Sequence, residues 1–159
     1  EDPGLAIAAL EKLLADTSGT PFMRGKAHFR LATLYYAQES YDKAREHYLA
    51  KEIKELQERD RFTAETQAAE CLAHKEKYEQ AAEEFLRAAK NPDYQEKISF
   101  LLVRYGELLF LAKKYNEGRA VFQKVTKDFP KTEDASRAYY QQGLHEQVDL
   151  KAYETAWNF

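Results

Sequence analysis

The chain has 159 residues, a formal net charge of −3 and a pI ≈ 5.9. That balance leaves no electrostatic footprint for nucleic acid or an anionic membrane surface, and no apolar stretch approaches the ~20 residues needed to span a bilayer. At 44% hydrophobic, with 11 Tyr and 9 Phe but only 6 Gly and 4 Pro, the composition excludes disorder and suits long helices with solvated outer faces.

Residues 5–15 place Leu5, Ala9, Leu10, Leu13 and Leu14 at helical spacing, and Thr17-Ser18-Gly19-Thr20-Pro21 closes that helix. Residues 1–21 therefore read as a cap or as the second helix of an upstream repeat. From there the pattern recurs every 37 residues: Tyr41, Tyr78 and Tyr115 stand one period apart, as do Ala44, Ala81 and Gly118, and Tyr48, Phe85 and Phe122. Repeats are expected at 25–61, 62–98 and 99–135, with a partial one at 136–159, all in one array. Each opens with a helix carrying small and large apolar residues, as in Leu31-Ala32 with Tyr35, Ala68-Ala69 with Leu72, and Tyr105-Gly106 with Leu109.

A polar break follows each first helix, and Ser40 is expected to cap the next, with Asp42 and Glu79 in first turns where the dipole favours them. The second helix carries Tyr-x-x-Ala-x-x-x-Tyr/Phe, whose spacing of three and four puts the three side chains on one face. A small residue there lets two helices cross closely, and the aromatic one turn later fills the space beside the crossing. Asn91-Pro92-Asp93 and Phe129-Pro130-Lys131-Thr132 end the second and third repeats. Asp60 is a weaker stop, so the second helix of the first repeat is expected to run on through Lys51–Arg59. Tyr153-x-x-Ala156 reads as the start of a further second helix, and both ends look cut from a longer array.

These residues resemble the tetratricopeptide repeat: Leu31-Ala32, Tyr35, Ala44 and Tyr48, then Ala69, Leu72, Ala81, Phe85, Ala88 and Pro92, then Gly106, Leu109, Phe122 and Pro130. The resemblance implies an all-α, right-handed superhelical solenoid of antiparallel helix pairs that binds proteins. Three departures stand out. The period is 37, the usual Trp of the first helix is replaced by His28, Glu65 and Leu102, and Gly118 stands where the third repeat should carry Ala. The longer period and the stretch 125–138 resemble tetratricopeptide proteins of the bacterial envelope, which favours a periplasmic setting.

Nothing in the chain assembles a catalytic motif. His28, His47, His74 and His145 lack metal-site spacing, and there is no His-Glu-x-x-His, Gly-rich phosphate loop or Gly-x-Ser-x-Gly. No metal or cofactor is implied. Cys71 and His74 are three apart on a helix, but no residue beside them supplies an oxyanion hole or an orienting third group. A packed cysteine beside a rim histidine is the expected arrangement.

The resemblance implies that first helices line a concave groove. Its residues would be Phe29, Thr33 and Tyr36, then Thr66, Glu70 and His74, then Phe100, Val103, Glu107 and Phe110, then Arg137, Tyr140 and Leu144. Arg104 is the nearby cation. Phe29 and Thr33 stand where chaperone-binding members carry Lys and Asn, which disfavours a clamp for a chaperone C-terminus. The expected function is a non-enzymatic scaffold that binds a protein or peptide segment in an aromatic-lined groove, without nucleic acid or membrane insertion. The alternatives are a self-assembling, homo-oligomeric module and a regulatory domain of a larger enzyme or envelope machine.

Overall fold

The computed structural model describes residues 3–16 and 18–157, with side chains as far as residue 146. Among them are eight α-helices and no strand: α1 Pro3–Ala15, α2 Pro21–Ala37, α3 Tyr41–Tyr48, α4 Glu58–His74, α5 Tyr78–Ala89, α6 Ile98–Leu111, α7 Tyr115–Asp128 and α8 Glu133–Trp157. Short 3-10 segments, Lys51–Glu55 and Pro92–Lys97, precede α4 and α6. The fold is thus an all-α helical repeat. Two compact units divide it, Glu1–Glu84 and Phe85–Phe159.

In the first unit, Thr20 opens α2: its Oγ1 accepts the Met23 N–H at 3.2 Å, and Pro21 occupies the first turn, where its missing N–H is no loss. Ala27, Leu31 and Tyr35, four apart, then bury one face of the helix. Ala44 of α3 and Ala64 and Ala68 of α4 are wholly buried beside Leu31, so small residues sit in the middle of the core. Arg45 fastens α3 to α4, donating to the Ala68 carbonyl at 2.8 Å and to both Glu84 oxygens.

The expected continuation of α3 through Lys51–Arg59 does not occur. The helix stops at Tyr48, a 3-10 turn covers Lys51–Glu55, and α4 is already under way at Glu58. Ile53 and Leu56 are the cause: both are buried in the core, and that burial outweighs helical continuity in a charge-rich stretch. Gly25 admits the crossing, since a Cβ there would lie 2.5 Å from the Glu52 carbonyl oxygen. Ser40 holds the N-cap position of α3, but its side chain makes no capping bond.

The three turns between paired helices share one construction. Glu39 (φ 57°), Glu76 (φ 57°) and Lys113 (φ 63°) lie in the left-handed region. The residue after each sends its N–H five residues back: Ser40 to Tyr35, Lys77 to Leu72, Lys114 to Leu109, at 2.8–2.9 Å. This is the Schellman ending, in which glycine is the usual occupant.

In the second unit, α6 is apolar on most of its circumference because it packs against both α7 and α8. It crosses α7 where both helices lack a side chain. A Cβ on Gly106 would lie 2.6 Å from the Phe122 ring, and one on Gly118 would lie 2.6 Å from the Phe110 ring. Thr132 caps α8, accepting from Ala135 N at 3.1 Å, and Asp134 accepts from Ser99 Oγ at 2.6 Å. Tyr153 and Ala156, expected to begin a new helix, lie inside the unbroken α8.

Gly143 occupies on α8 the repeat position that Gly106 occupies on α6, yet nothing lies within 4 Å of a Cβ there. The two glycines should respond oppositely to alanine. Gly143→Ala should stabilise by up to about 1 kcal/mol through helix propensity. Gly106→Ala should destabilise by a net of about 1–2 kcal/mol, because the enclosed Phe122 ring cannot retreat. Thermal unfolding of both variants checks this; a shared direction would disprove the tight α6–α7 approach. In the same assay Glu76→Gly should raise stability by up to about 1 kcal/mol, as relief of left-handed strain exceeds the added unfolded-state entropy.

Candidate protein-interaction site

In the second unit α6, α7 and α8 enclose an open pocket of ≈ 710 Å³. α6 contributes Arg104, Glu107, Phe110 and Leu111, α7 contributes Tyr115 and Arg119, and α8 contributes Arg137, Gln141 and His145. Glu107, its side chain 10% exposed, is the centre of the polar wall. Arg104, one turn earlier, donates to it at 2.5 Å, and Arg137 donates from α8 at 2.7 Å. The Arg104 guanidinium also lies over the Phe85 ring, 5.7 Å from its centroid. A carboxylate held by two guanidiniums freezes rotamers that would otherwise be mobile, so the cations are preset before anything binds.

The apolar wall is built from stacked rings. Phe110 lies nearly parallel to Phe122 at 5.5 Å and to His145 at 3.5 Å, and the Tyr115 ring lies tilted against it at 5.7 Å. Burial and then the Arg119 charge push the His145 imidazole below its ordinary pKa, so it is neutral near pH 7, as a ring stacked on phenylalanine should be. Leu111 and Tyr115 are about half exposed at the mouth.

The first unit carries a smaller cluster. Tyr36 Oη and His74 Nε2 are 2.8 Å apart, Tyr41 stacks on His74 at 4.5 Å, and Tyr36 meets Tyr41 edge-on at 5.5 Å. Burial, with Glu70 nearby, pushes the Tyr36 phenol up to about 12, so it stays protonated. Cys71 is enclosed three residues before His74, and burial raises its thiol to about 11. At neutral pH it is a packed thiol and not a nucleophile.

The residues expected in one groove are dispersed. Tyr36 and His74 do meet, as do Arg104, Glu107 and Phe110. Val103 is fully buried in the second core and has no surface to offer a partner. Thr66 is also buried, its hydroxyl donating to the Phe62 carbonyl at 2.9 Å, a helical back-bond that turns it inward. Phe110 shows only an edge, because Gly118 lets its ring fold in. Phe29 is half-buried edge-on against Tyr48, and the exposed Thr33 bonds back to the Phe29 carbonyl. Phe100 and Glu70 are partly buried. Tyr140 and Leu144 are exposed on α8 and do not line the pocket. Arg119, Gln141 and His145 join the site unforeseen. The signal was present on α8, where Arg137, Gln141 and His145 form a ladder four apart on one face.

Residues 101–132, most of α6 and all of α7, match the family described as Tetratricopeptide repeat. This segment is a tetratricopeptide repeat, a protein-interaction module of a family generally without catalytic activity. No curated protein matches the chain. Among the described residues, no helix is long and apolar enough to cross a membrane.

One contact in the first unit generates a pH dependence. His28 and His47, nineteen residues apart, meet Nδ1 to Nδ1 at 2.9 Å across α2 and α3, so one ring must donate and the other accept. Glu52 lies 3.8 Å from His28 Nε2, and the Tyr35 ring stacks on His47. Burial lowers both pKa values; the His47 charge lowers that of His28 further, against the pull of Glu52 and Glu46. In the unfolded chain each imidazole takes its proton near pH 6.5. The folded pair resists that proton, so its contribution is complete above about pH 6.5 and is lost as pH falls below it. Denaturant midpoints should therefore fall between about pH 7.5 and 5.5. His47→Gln, which keeps a hydrogen-bonding group without a titratable one, should flatten that slope; an unchanged slope would place the titration elsewhere.

Proposed function

We propose that the chain is a non-enzymatic scaffold that docks a partner's peptide segment in the α6–α7–α8 pocket. The observation that carries this reading is the pocket's mixed lining. Exposed apolar anchors at Leu111 and Tyr115 stand beside guanidiniums already oriented by a buried carboxylate. A volume of ≈ 710 Å³ suits a few side chains of an extended or helical segment. Its parts come from three helices and need little ordering on binding, so little affinity is lost to entropy. The Tyr36–Tyr41–His74 cluster in the first unit is a second aromatic contact for a protein partner. The resemblance of 125–138 to envelope repeats makes the cell envelope the setting to test first.

A displayed library of random peptides, selected on the full chain, tests this reading. Selected peptides should lose most of their affinity for Leu111→Ser/Tyr115→Ser while retaining it for Leu49→Ser, an equally exposed leucine of the first unit. Circular dichroism must show both variants folded. Equal retention by both would remove the pocket as the binding site.

A second reading rests on α8. Tyr139 and Tyr140 are 58% and 65% exposed, and the space beside Gly143 is open, so this face suits packing by another copy. A mass that rises with concentration and reverts in Tyr140→Ser would favour self-assembly.

A further inference from the structure

Nineteen residues separate His28 from His47, so no spacing motif marks the pair, yet α2 and α3 bring their Nδ1 atoms to 2.9 Å. Both rings are held by neighbours. Tyr35 stacks on His47 with its ring 4° from parallel, and its own hydroxyl donates to Glu11 at 2.7 Å. The Glu52 carboxylate lies 3.8 Å from His28 Nε2 and favours a proton there, which leaves the His28 lone pair on Nδ1. His47 is then the donor of the shared hydrogen bond. Glu11, Glu46 and Glu52 act on the rings from α1, α3 and the 3-10 turn, opposed by Arg24 and Lys43. The field is mixed, so the two nitrogens decide what the site can hold.

We infer that His28 and His47 form a binding site for a divalent transition metal of tetragonal preference, Cu²⁺ above all, held by the two Nδ1 atoms. The site lies in the first unit and is independent of the docking pocket. Distance selects the metal. With metal–nitrogen bonds of about 2.0 Å, nitrogens 2.9 Å apart subtend about 90° at the ion, the angle between neighbouring ligands in tetragonal geometry. A tetrahedral zinc site needs its nitrogens about 3.3 Å apart. Imidazole suits copper, and Cu²⁺ heads the affinity order for divalent ions at nitrogen sites. Among the described residues no third His, Cys, Asp or Glu completes a ligand set, so water fills the remaining positions and the affinity is modest. On binding, the ion replaces the shared proton, which passes through solvent to His47 Nε2. Both rings stay neutral. Glu52, behind His28 Nε2, then orients a metal-bound imidazole, as carboxylates behind ligating histidines do. The ion ties α2 to α3 and so favours the folded unit by mass action.

The test uses the full chain, treated with a chelator, freed of it, and titrated by calorimetry with copper sulfate and zinc sulfate. One Cu²⁺ should bind per chain, at least about tenfold tighter than Zn²⁺. Electron paramagnetic resonance of the copper form should show a tetragonal signal split by two imidazole nitrogens, and the thermal midpoint should rise with added Cu²⁺. His47→Gln, shown folded by circular dichroism, should lose more than about tenfold in Cu²⁺ affinity. His28→Gln is the second variant, should His47→Gln perturb the core, and should lose as much. Unchanged affinity in either folded variant would overturn the site. A copper signal split by fewer than two imidazole nitrogens would do the same, and it is read on the unaltered chain, so it decides the matter even if both variants unfold. Tighter binding of Zn²⁺ would overturn the tetragonal assignment.

Discussion

The second unit depends on the crossing of α6 and α7 at a point where neither helix has a side chain. Phe122 fills the space a Cβ on Gly106 would need, and Phe110 fills the space a Cβ on Gly118 would need. The two rings stack on each other, and the far side of Phe110 is left to receive His145 of α8. Seating His145 sets the rotation of α8, and that rotation carries Arg137 and Gln141, two turns and one turn earlier, towards Glu107. A packing event in the core thus decides where the cations stand. The first repeat shows the contrast. There Ala44 holds the place of Gly118 and Tyr36 that of Phe110, and the Tyr36 ring contacts Tyr41 and His74 instead.

Charge has a different role in each setting. Lys75 and Asp42 pair at 2.5 Å, but the Asp42 side chain is 80% exposed, so solvent screening leaves the contact little weight. Glu107 and Arg45 are largely enclosed and each meets several partners, so removing either would strand buried charge. The His28–His47 contact is of a third kind: two rings share one hydrogen bond, and burial disfavours the proton that would charge either of them.

Much of the helical architecture was legible from spacing alone. Ala44, Ala81 and Gly118, three residues after Tyr41, Tyr78 and Tyr115, and the aromatics four residues further on lie in the core because a period of 3.6 puts them on one face. Pattern failed where burial and backbone geometry compete with it. Lys51–Arg59 reads as a helix rich in charge pairs, but Ile53 and Leu56 belong to the core and bend the chain to reach it. Val103 and Thr66 read as groove residues because repeat position alone does not say which neighbour covers them. Gly118 stood out as a departure from its family pattern, and its reason, the Phe110 ring, lies on another helix.

By itself the sequence determined an all-α chain of paired helices, the small residues at their crossings, and the absence of any catalytic motif. These follow from local periodicity and residue chemistry, which act within a few turns of helix. Only the tertiary structure decided that Glu107 lies between two arginines from different helices, that Phe110 turns inward, and that His28 meets His47. Each is a contact between segments distant in the chain. Its geometry depends on how closely two backbones approach, and no repeat pattern encodes that distance.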